Sequence, residues 1–410
     1  LDESYLSTLR QLHGLQAYPS RTKDPDDVDF STGSVGIGAI APNFASLVER
    51  YVTSQTISKQ WSTEVSQRRR YISLVGDAEL DEGSVWEAIA EPTMSNLDDV
   101  IWVVDLNRQS LDRVIPGIRV GAWSKMFAAN GWTVINAKYG SKLRAAFKLP
   151  NGDLFRDTID QMSNELYQRL LRVPGDELRD WLPRSSRGSE DLKIFLSQWN
   201  DDELQELVRN LGGHDFSSLR SSFNKADKAN GPAVIFAYTL KGWMLPSVGD
   251  PQNHSVILNQ EQINQFRTQL GIGSKEWPKL KQNSEEWKVK ERARKRLSKP
   301  NSSLEVLGDA LPTSFARSYK GTQSTQQIFG LILTEISRGV QGLTDRVVTV
   351  SPDVASSTNL GGWINKAGVW GESDSTLMPK DVERALNWNQ SPDGQHIELG
   401  ISENNLFMML

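Results

Sequence analysis

The 410-residue sequence contains no cysteine, which excludes disulfides, thiolate metal sites and thiol nucleophiles and fits a reducing cytoplasm. Histidine is scarce as well: His13, His214, His254 and His396 are too scattered to suggest a zinc site. No run approaches the roughly 18 apolar residues that would span a bilayer, and the opening LDESYLSTLR has neither the basic nor the apolar part of a secretory signal. No membrane partner is expected. A basic excess is also missing. The net charge is -5, and the cations of EEWKVKERARKRLSK are interleaved with acids, the pattern of a solvated helix rather than a nucleic-acid surface.

What is present is enough for a globular chain of two or three domains, with 38% hydrophobic residues. Through the first 245 residues, short apolar runs alternate with helix-like stretches, as in an α/β fold with a parallel sheet and helices on both faces. Strands are predicted at 71–75, 100–105, 132–137 and 232–238. Helices are predicted at WEAIAEPTM, at SKMFAAN and at FSSLRSSFNKADKAN, the last with Phe216, Leu219 and Phe223 on one face. FSTGSVGIGAI reads as a glycine-rich turn opening the helix APNFASLVERYV.

The polar stretch at about 151–210 reads as a helical insertion within a first domain of residues 1–273, and 274–321 as an interdomain linker. Residues 322–410 read as the start of a second α/β domain, with a helix at STQQIFGLILTEISRGV and a buried strand at DRVVTV. The chain begins without methionine and stops inside the apolar run GISENNLFMML, so a partial chain with a truncated second domain is expected.

The chemistry concentrates in VGDAELDEG and IWVVDLNRQSLD. Gly76-Asp77 directly follows one strand and Asn107 closes the next. In an open parallel sheet both would lie at the carboxyl edge, where such folds bind ligands. A carboxylate, an amide oxygen and a nearby backbone carbonyl, that of Gln109, are ligands suited to Mg2+, with positions left for a diphosphate and water. Alone, Gly-Asp after a strand reads equally as a turn with a helix N-cap.

The pair thirty positions apart resembles the thiamine-diphosphate signature, which begins Gly-Asp-Gly and ends in Asn; Ala78 replaces its last glycine and Leu106 a frequent asparagine. GDAELDEG, NLDDVIWVVDLNRQSLD, GWTVINAKYGS, LGGHD, GPAVIFAYTLKGW and GISEN also occur in the order found in the homodimeric E1 component of pyruvate dehydrogenase, of the transketolase superfamily. The resemblance extends from about Gln16 to Glu403 and implies a thiamine-diphosphate-binding fold followed by a pyrimidine-binding domain.

It further implies thiamine diphosphate and Mg2+ as cofactors, with Asp77, Asn107 and the Gln109 carbonyl on the metal. Gly33, Ser34, Val35 and Gly36 would pass beneath the cofactor rings, Gly76, Ala78 and Glu79 would also bind the cofactor, and Lys241, on the cofactor side, would order the loop of His254. Glu403 matches the family glutamate that hydrogen-bonds N1' of the aminopyrimidine, and His254 resembles the histidine of the active-site loop. Each also has a purely structural alternative: a helix-start turn, dipole compensation, a surface loop histidine. His214, in GGHD, is expected to serve a turn or cap.

The implied function is an enzyme that decarboxylates pyruvate and passes the acetyl unit to lipoyl groups on a partner acyltransferase. Its site would form across a homodimer, Asp77 and Asn107 of one subunit facing Glu403 of the other. The alternatives are a transketolase-like ketol transfer between sugar phosphates, kept open by SPDVASSTNLGGW, and a noncatalytic relative. The small-molecule substrate is thus a 2-oxo acid or a ketose.

Overall fold

In the computed structural model, the described residues are 3–24, 27–58, 69–110, 113–114, 119–186, 188–273, 279–297, 314, 318–340, 343–374 and 389–410. Helix α1 (Ile37–Ser58) precedes β1 (Tyr71–Gly76), α2 (Gly83–Ala90) and β2 (Val100–Leu106). A small hairpin of β3 (Gln109–Ser110) and β4 (Arg113–Val114) leads to α3 (Val120–Ala129) and β5 (Thr133–Ala137). Six helices follow, α4 (Ser141–Ala146), α5 (Gly152–Gln161), α6 (Asn164–Leu170), α7 (Gly175–Arg184), α8 (Ser189–Leu196) and α9 (Asp201–Arg209). Then come α10 (Phe216–Ala226) and β6 (Ala233–Tyr238).

The four strands pair in the order β1-β2-β6-β5, every pair parallel. Parallel strands need both faces covered, and they are: one apolar core lies under α1, α2 and α3, and a second, built on Ile101, Ile135 and Ile235, takes Ala226 of α10. Trp102, Phe127 and Trp132 fix the first core through edge-on ring contacts at 5.2 to 6.0 Å, and the buried Trp102 Nε1 donates to Asn43 Oδ1 at 2.8 Å.

All four predicted strands form. The insertion is helical, as expected, but its helices are amphipathic and bury Phe155, Leu178, Leu182 and Leu204 against the first core. Three sequence-based expectations are corrected. The buried positions of α10 are Ser218, Ser222 and Ala226, whereas Phe216 is 91% exposed, because the helix meets the sheet closely enough to favour small residues there. WEAIAEPTM is not one helix: α2 ends at Ala90, and Pro92, which cannot donate to the preceding turn, opens a separate 3-10 turn. DRVVTV yields only the three-residue β7 (Thr349–Ser351), half-buried at the edge of its sheet, with Val348 39% exposed.

Beyond α11 (Gln260–Leu270) and the solvated α12 (Glu285–Leu297), neither of which buries a residue, the chain builds a second parallel sheet. Helix α13 (Thr325–Ile336), β7, α14 (Gly361–Ala367), β8 (Val369–Trp370), β9 (Gln390–Ser391), β10 (His396–Glu398) and α15 (Glu403–Met409) complete it. The strand order is β7-β10-β8-β9, all parallel.

Polar contacts hold this unit to the first. Arg50 on α1 reaches Asp98, Asp99 and Glu372, and Trp370 Nε1 donates to Ser54 Oγ at 2.8 Å. Glu91, only 4% exposed, accepts from Gly400 N, Ser402 Oγ and Asn405 Nδ2 through one carboxylate oxygen at 3.1 to 3.2 Å. Glu87 Oε1 accepts from the Asn405 N–H at 3.1 Å, and Glu87 Oε2 from Asn404 Nδ2 at 2.8 Å. A methyl in place of the Glu91 carboxylate would leave the Gly400 N–H without its acceptor, at about 1–3 kcal/mol if it stays dry, and would leave Ser402 Oγ and Asn405 Nδ2 with only the Gly400 and Glu87 carbonyls. Glu91→Ala is therefore expected to raise amide exchange across 400–409 while leaving β2 and β6 protected; equal protection in variant and parent would count against the latch.

Candidate functional site at the carboxyl edge of the sheet

β1 and β2 run in register, with Gly76 opposite Asp105, so both chains leave the sheet at the same edge. Asp77 opens the 3-10 turn Asp77–Asp81 and is only 2% exposed. Its Oδ2 accepts from the Arg108 N–H at 2.9 Å, which places the first residue after Asn107 directly on the carboxylate. Burial is the main influence on this carboxyl and pushes its pKa to about 6, against the opposing help of the Arg108 N–H; Asp105 adds repulsion and Lys241 a smaller attraction. A buried carboxylate whose charge is disfavoured in this way is a group that a nearby cation would stabilise.

Asn107 Oδ1 accepts from the Gln109 N–H at 3.0 Å, folding the loop back in an Asx-type turn. Gln109 is buried, and its side chain meets Gln168 of α6, which in turn donates to the Asn107 carbonyl at 3.2 Å. Between them Arg108 adopts φ +64°, a left-handed conformation uncommon for a residue with a Cβ. The turn thus brings together the edge of β1 and the Asn107-Gln109 loop. No group of three or more His, Cys, Asp or Glu suited to a metal occurs among the described residues; this donor set is one carboxylate with amide and backbone oxygens.

Around it, Glu79 Oε2 accepts from the Gly76 N–H at 2.8 Å and is committed to capping its own turn. Ala78 follows within the same 3-10 turn and does not have a positive φ, so a side chain sits there without strain. In the glycine-rich turn, Gly33 has open space where a Cβ would lie, and Val35 is 54% exposed. Gly36, at φ +75°, approaches Glu82, whose Cβ would stand 3.0 Å from an added methyl, so the turn rests on the segment that follows the Asp77 turn. Ser34 lies in the bend that leads into α1.

Lys241 Nζ and His254 Nδ1 are 3.2 Å apart on an exposed loop. Asn253 ties that loop shut, donating to the Lys241 carbonyl at 2.7 Å beside Gly242 at φ +70°. His214 accepts from the Leu240 N–H through Nε2 at 2.8 Å and stacks on Trp243; burial lowers its pKa, so it is a neutral structural acceptor, in keeping with the turn role expected for it. Glu403 begins α15 and is exposed; no hydrogen bond connects it to Asp77 or Asn107. Residues that the sequence did not single out are Arg108, whose contribution is its backbone N–H, and Glu87 and Glu91, which seat the helix bearing Glu403. Only the position of Arg108 beside Asn107 could have drawn attention to it.

Residues 1–148 match the family described as transketolase, thiamine diphosphate binding domain. Along nearly its whole length the chain is similar to pyruvate dehydrogenase E1 components: that of Cupriavidus necator is 25% identical over 415 residues, covering 95% of this chain and 45% of that protein. The E1 component of Escherichia coli K12 is 23% identical over 432 residues, covering 98% and 47%. The chain spans about half the length of the curated relatives it matches. Among solved structures, transketolase of Campylobacter jejuni superposes with a TM-score of 0.57 at 18% identity over 99% of this chain and 49% of that one, a likeness of fold. Transketolase of Pichia stipitis gives 0.55 at 15% over 99% and 50%.

The raised pKa of Asp77 makes a signed prediction. Between the ordinary aspartate value of about 4 and the folded value near 6, the native state holds a proton that the unfolded chain has released, so this group costs stability as pH rises. In metal-free protein, Asp77→Asn should match the parent near pH 4 and exceed it by up to about 3 kcal/mol above pH 6. Added Mg2+ should narrow that gap by stabilising the parent alone. Urea unfolding across this range checks both; a constant difference at every pH would contradict the assignment.

Proposed function

We propose that the chain is the thiamine-diphosphate-binding part of an E1-type enzyme, which decarboxylates pyruvate and transfers the acetyl unit to lipoyl groups of an acyltransferase. The observation that carries this reading is the convergence of the buried Asp77 carboxylate with the Asn107-Gln109 turn at the carboxyl edge of a parallel sheet. The donor chemistry fits a hard cation shared with a diphosphate: Asp77, the Asn107 amide oxygen and the Gln109 carbonyl would hold Mg2+. The open space beside Gly33 and the exposed Val35 suit a flat ring system lying on the turn of Gly33, Ser34, Val35 and Gly36. Gly76, Ala78 and Glu79 lie around the metal ligands.

Bound there, thiamine diphosphate supplies a nucleophilic carbon and an electron sink for the decarboxylation. The chain's own residues bind and orient. Asp77 balances part of the metal charge once a cation opposes its tendency to take up a proton. Lys241, next to His254, offers a cation toward the diphosphate side, and His254 on its exposed loop can meet the substrate carboxylate. Glu403, at the start of α15, would hold a proton at N1' of the pyrimidine.

Its exposure suits a role toward a second subunit, so the active unit is a homodimer in which Glu403 of one chain serves Asp77 of another. In this reading residues 1–273 form the diphosphate domain, 274–321 the linker and 322–410 part of the pyrimidine domain. The setting is the cytoplasm, in keeping with a chain free of cysteine.

Calorimetric titration of the chain with thiamine diphosphate is the direct test. Metal-dependent binding near micromolar Kd, about −8 kcal/mol, is expected, with Asn107→Ala weakening it at least tenfold. Equal heats with Mg2+ and with chelator would remove the metal assignment, and absence of heat in both would remove the reading for this chain. Product analysis with pyruvate against a ketose phosphate then separates the E1 reaction from ketol transfer.

A further inference from the structure

Asp77 forms one wall of a second feature, a cavity of about 60 Å³ on the side of the sheet edge that faces the helical insertion. Leu106, Ile159, Met162 and Leu211 give it an apolar wall, and Trp123 and Tyr238 add aromatic surface. Three cations also reach it, but two are committed: Arg119 pairs with Asp81 at 2.8 Å, and Lys138 with Asp160 at 2.5 Å.

Arg108 is engaged by the uncharged Tyr167, through its ring and a side-chain hydrogen bond, and not by a counter-ion. Its guanidinium carbon lies 4.4 Å from the ring centre of Tyr167, and its Nε and Nη2 are buried without a hydrogen-bond partner. Among the described residues no carboxylate pairs with it. A buried charged donor left in this state is costly, and Arg108 is held there on a backbone at φ +64°.

The geometry points to this cavity as a binding site for a short-chain monocarboxylate, its carboxylate on Arg108 and its alkyl part against Leu106, Ile159 and Met162. The planar fork of a guanidinium presents parallel N–H groups at the spacing of carboxylate oxygens, which gives direction as well as charge. A phosphate dianion fits less well, because Asp77 and Asp160 also line the cavity and would repel a second negative charge. The volume admits a ligand of a few heavy atoms. The cavity shares Asp77 with the proposed metal site, but the inference needs no thiamine chemistry, since the ligand is held by the Arg108 side chain.

The probe is propionate, titrated into the whole chain without metal or thiamine diphosphate and followed by calorimetry and by Trp fluorescence, with propionamide and inorganic phosphate in parallel. Saturable propionate binding in the millimolar range is expected, with propionamide and phosphate each weaker by about tenfold or more. Arg108→Met should abolish saturation while holding or raising the unfolding midpoint, because it removes unpaired buried donors. Arg108→Lys, which keeps the charge and loses the fork, should bind several-fold more weakly than the parent and stands in if the methionine variant does not fold. Three results would overturn the site: no saturation up to roughly 50 mM, equal binding of propionate and propionamide, or unchanged affinity in either Arg108 variant. Since cofactor and metal are left out, none of these bears on the proposed E1 function, and loss of cofactor binding would leave the propionate result standing.

Discussion

The bond from the Arg108 N–H to the Asp77 carboxylate joins the ends of two adjacent parallel strands, and the site's geometry follows from it. Parallel pairing alone places Asp77 and Asn107 at one edge of the sheet; the bond sets their approach and holds the intervening loop in a left-handed turn. The Asn107 side chain and Gln168 then lock that turn from either side. The carboxylate bears the cost: burial disfavours its charge, and the backbone N–H groups of Arg108 and Ala78 offset this only in part. The local structure is therefore prepared for a cation in a way that a solvated aspartate would not be.

The scaffold beneath was legible in the sequence because parallel strands buried on both faces are nearly continuous apolar runs, as in VIWVVDL and AVIFAY. The spacing of Asp77 and Asn107 was legible for the same reason, since each directly follows such a run. Helix faces were less so. In α10 the apolar periodicity pointed to Phe216, Leu219 and Phe223, yet close packing on the sheet selected Ser218, Ser222 and Ala226, whose size rather than hydropathy suits the contact. β7 fell short for a related reason: a strand at a sheet edge buries only part of what its composition suggests.

The contacts that cross between the two sheets left no local trace. Glu87 and Glu91 lie in an amphipathic stretch where acids normally face water, and nothing nearby announces that residues more than three hundred positions later supply their partners. Lys241 and His254 were each singled out, but only the closure of their loop by Asn253 sets them side by side. Glu403 shows the opposite limit. Its helix is firmly seated, while the carboxylate itself faces solvent.

The Glu91 latch has a consequence for how such a chain could change over generations. One carboxylate oxygen serves three donors in Gly400, Ser402 and Asn405, so a replacement on α2 cannot be absorbed by a single compensating replacement on the other side. Drift at either segment is then slowed by the other, although neither touches the metal-ligand candidates. The short GISEN word would persist in lineages even under relaxed demand on the site, and its presence would then be a record of how the two halves fit together.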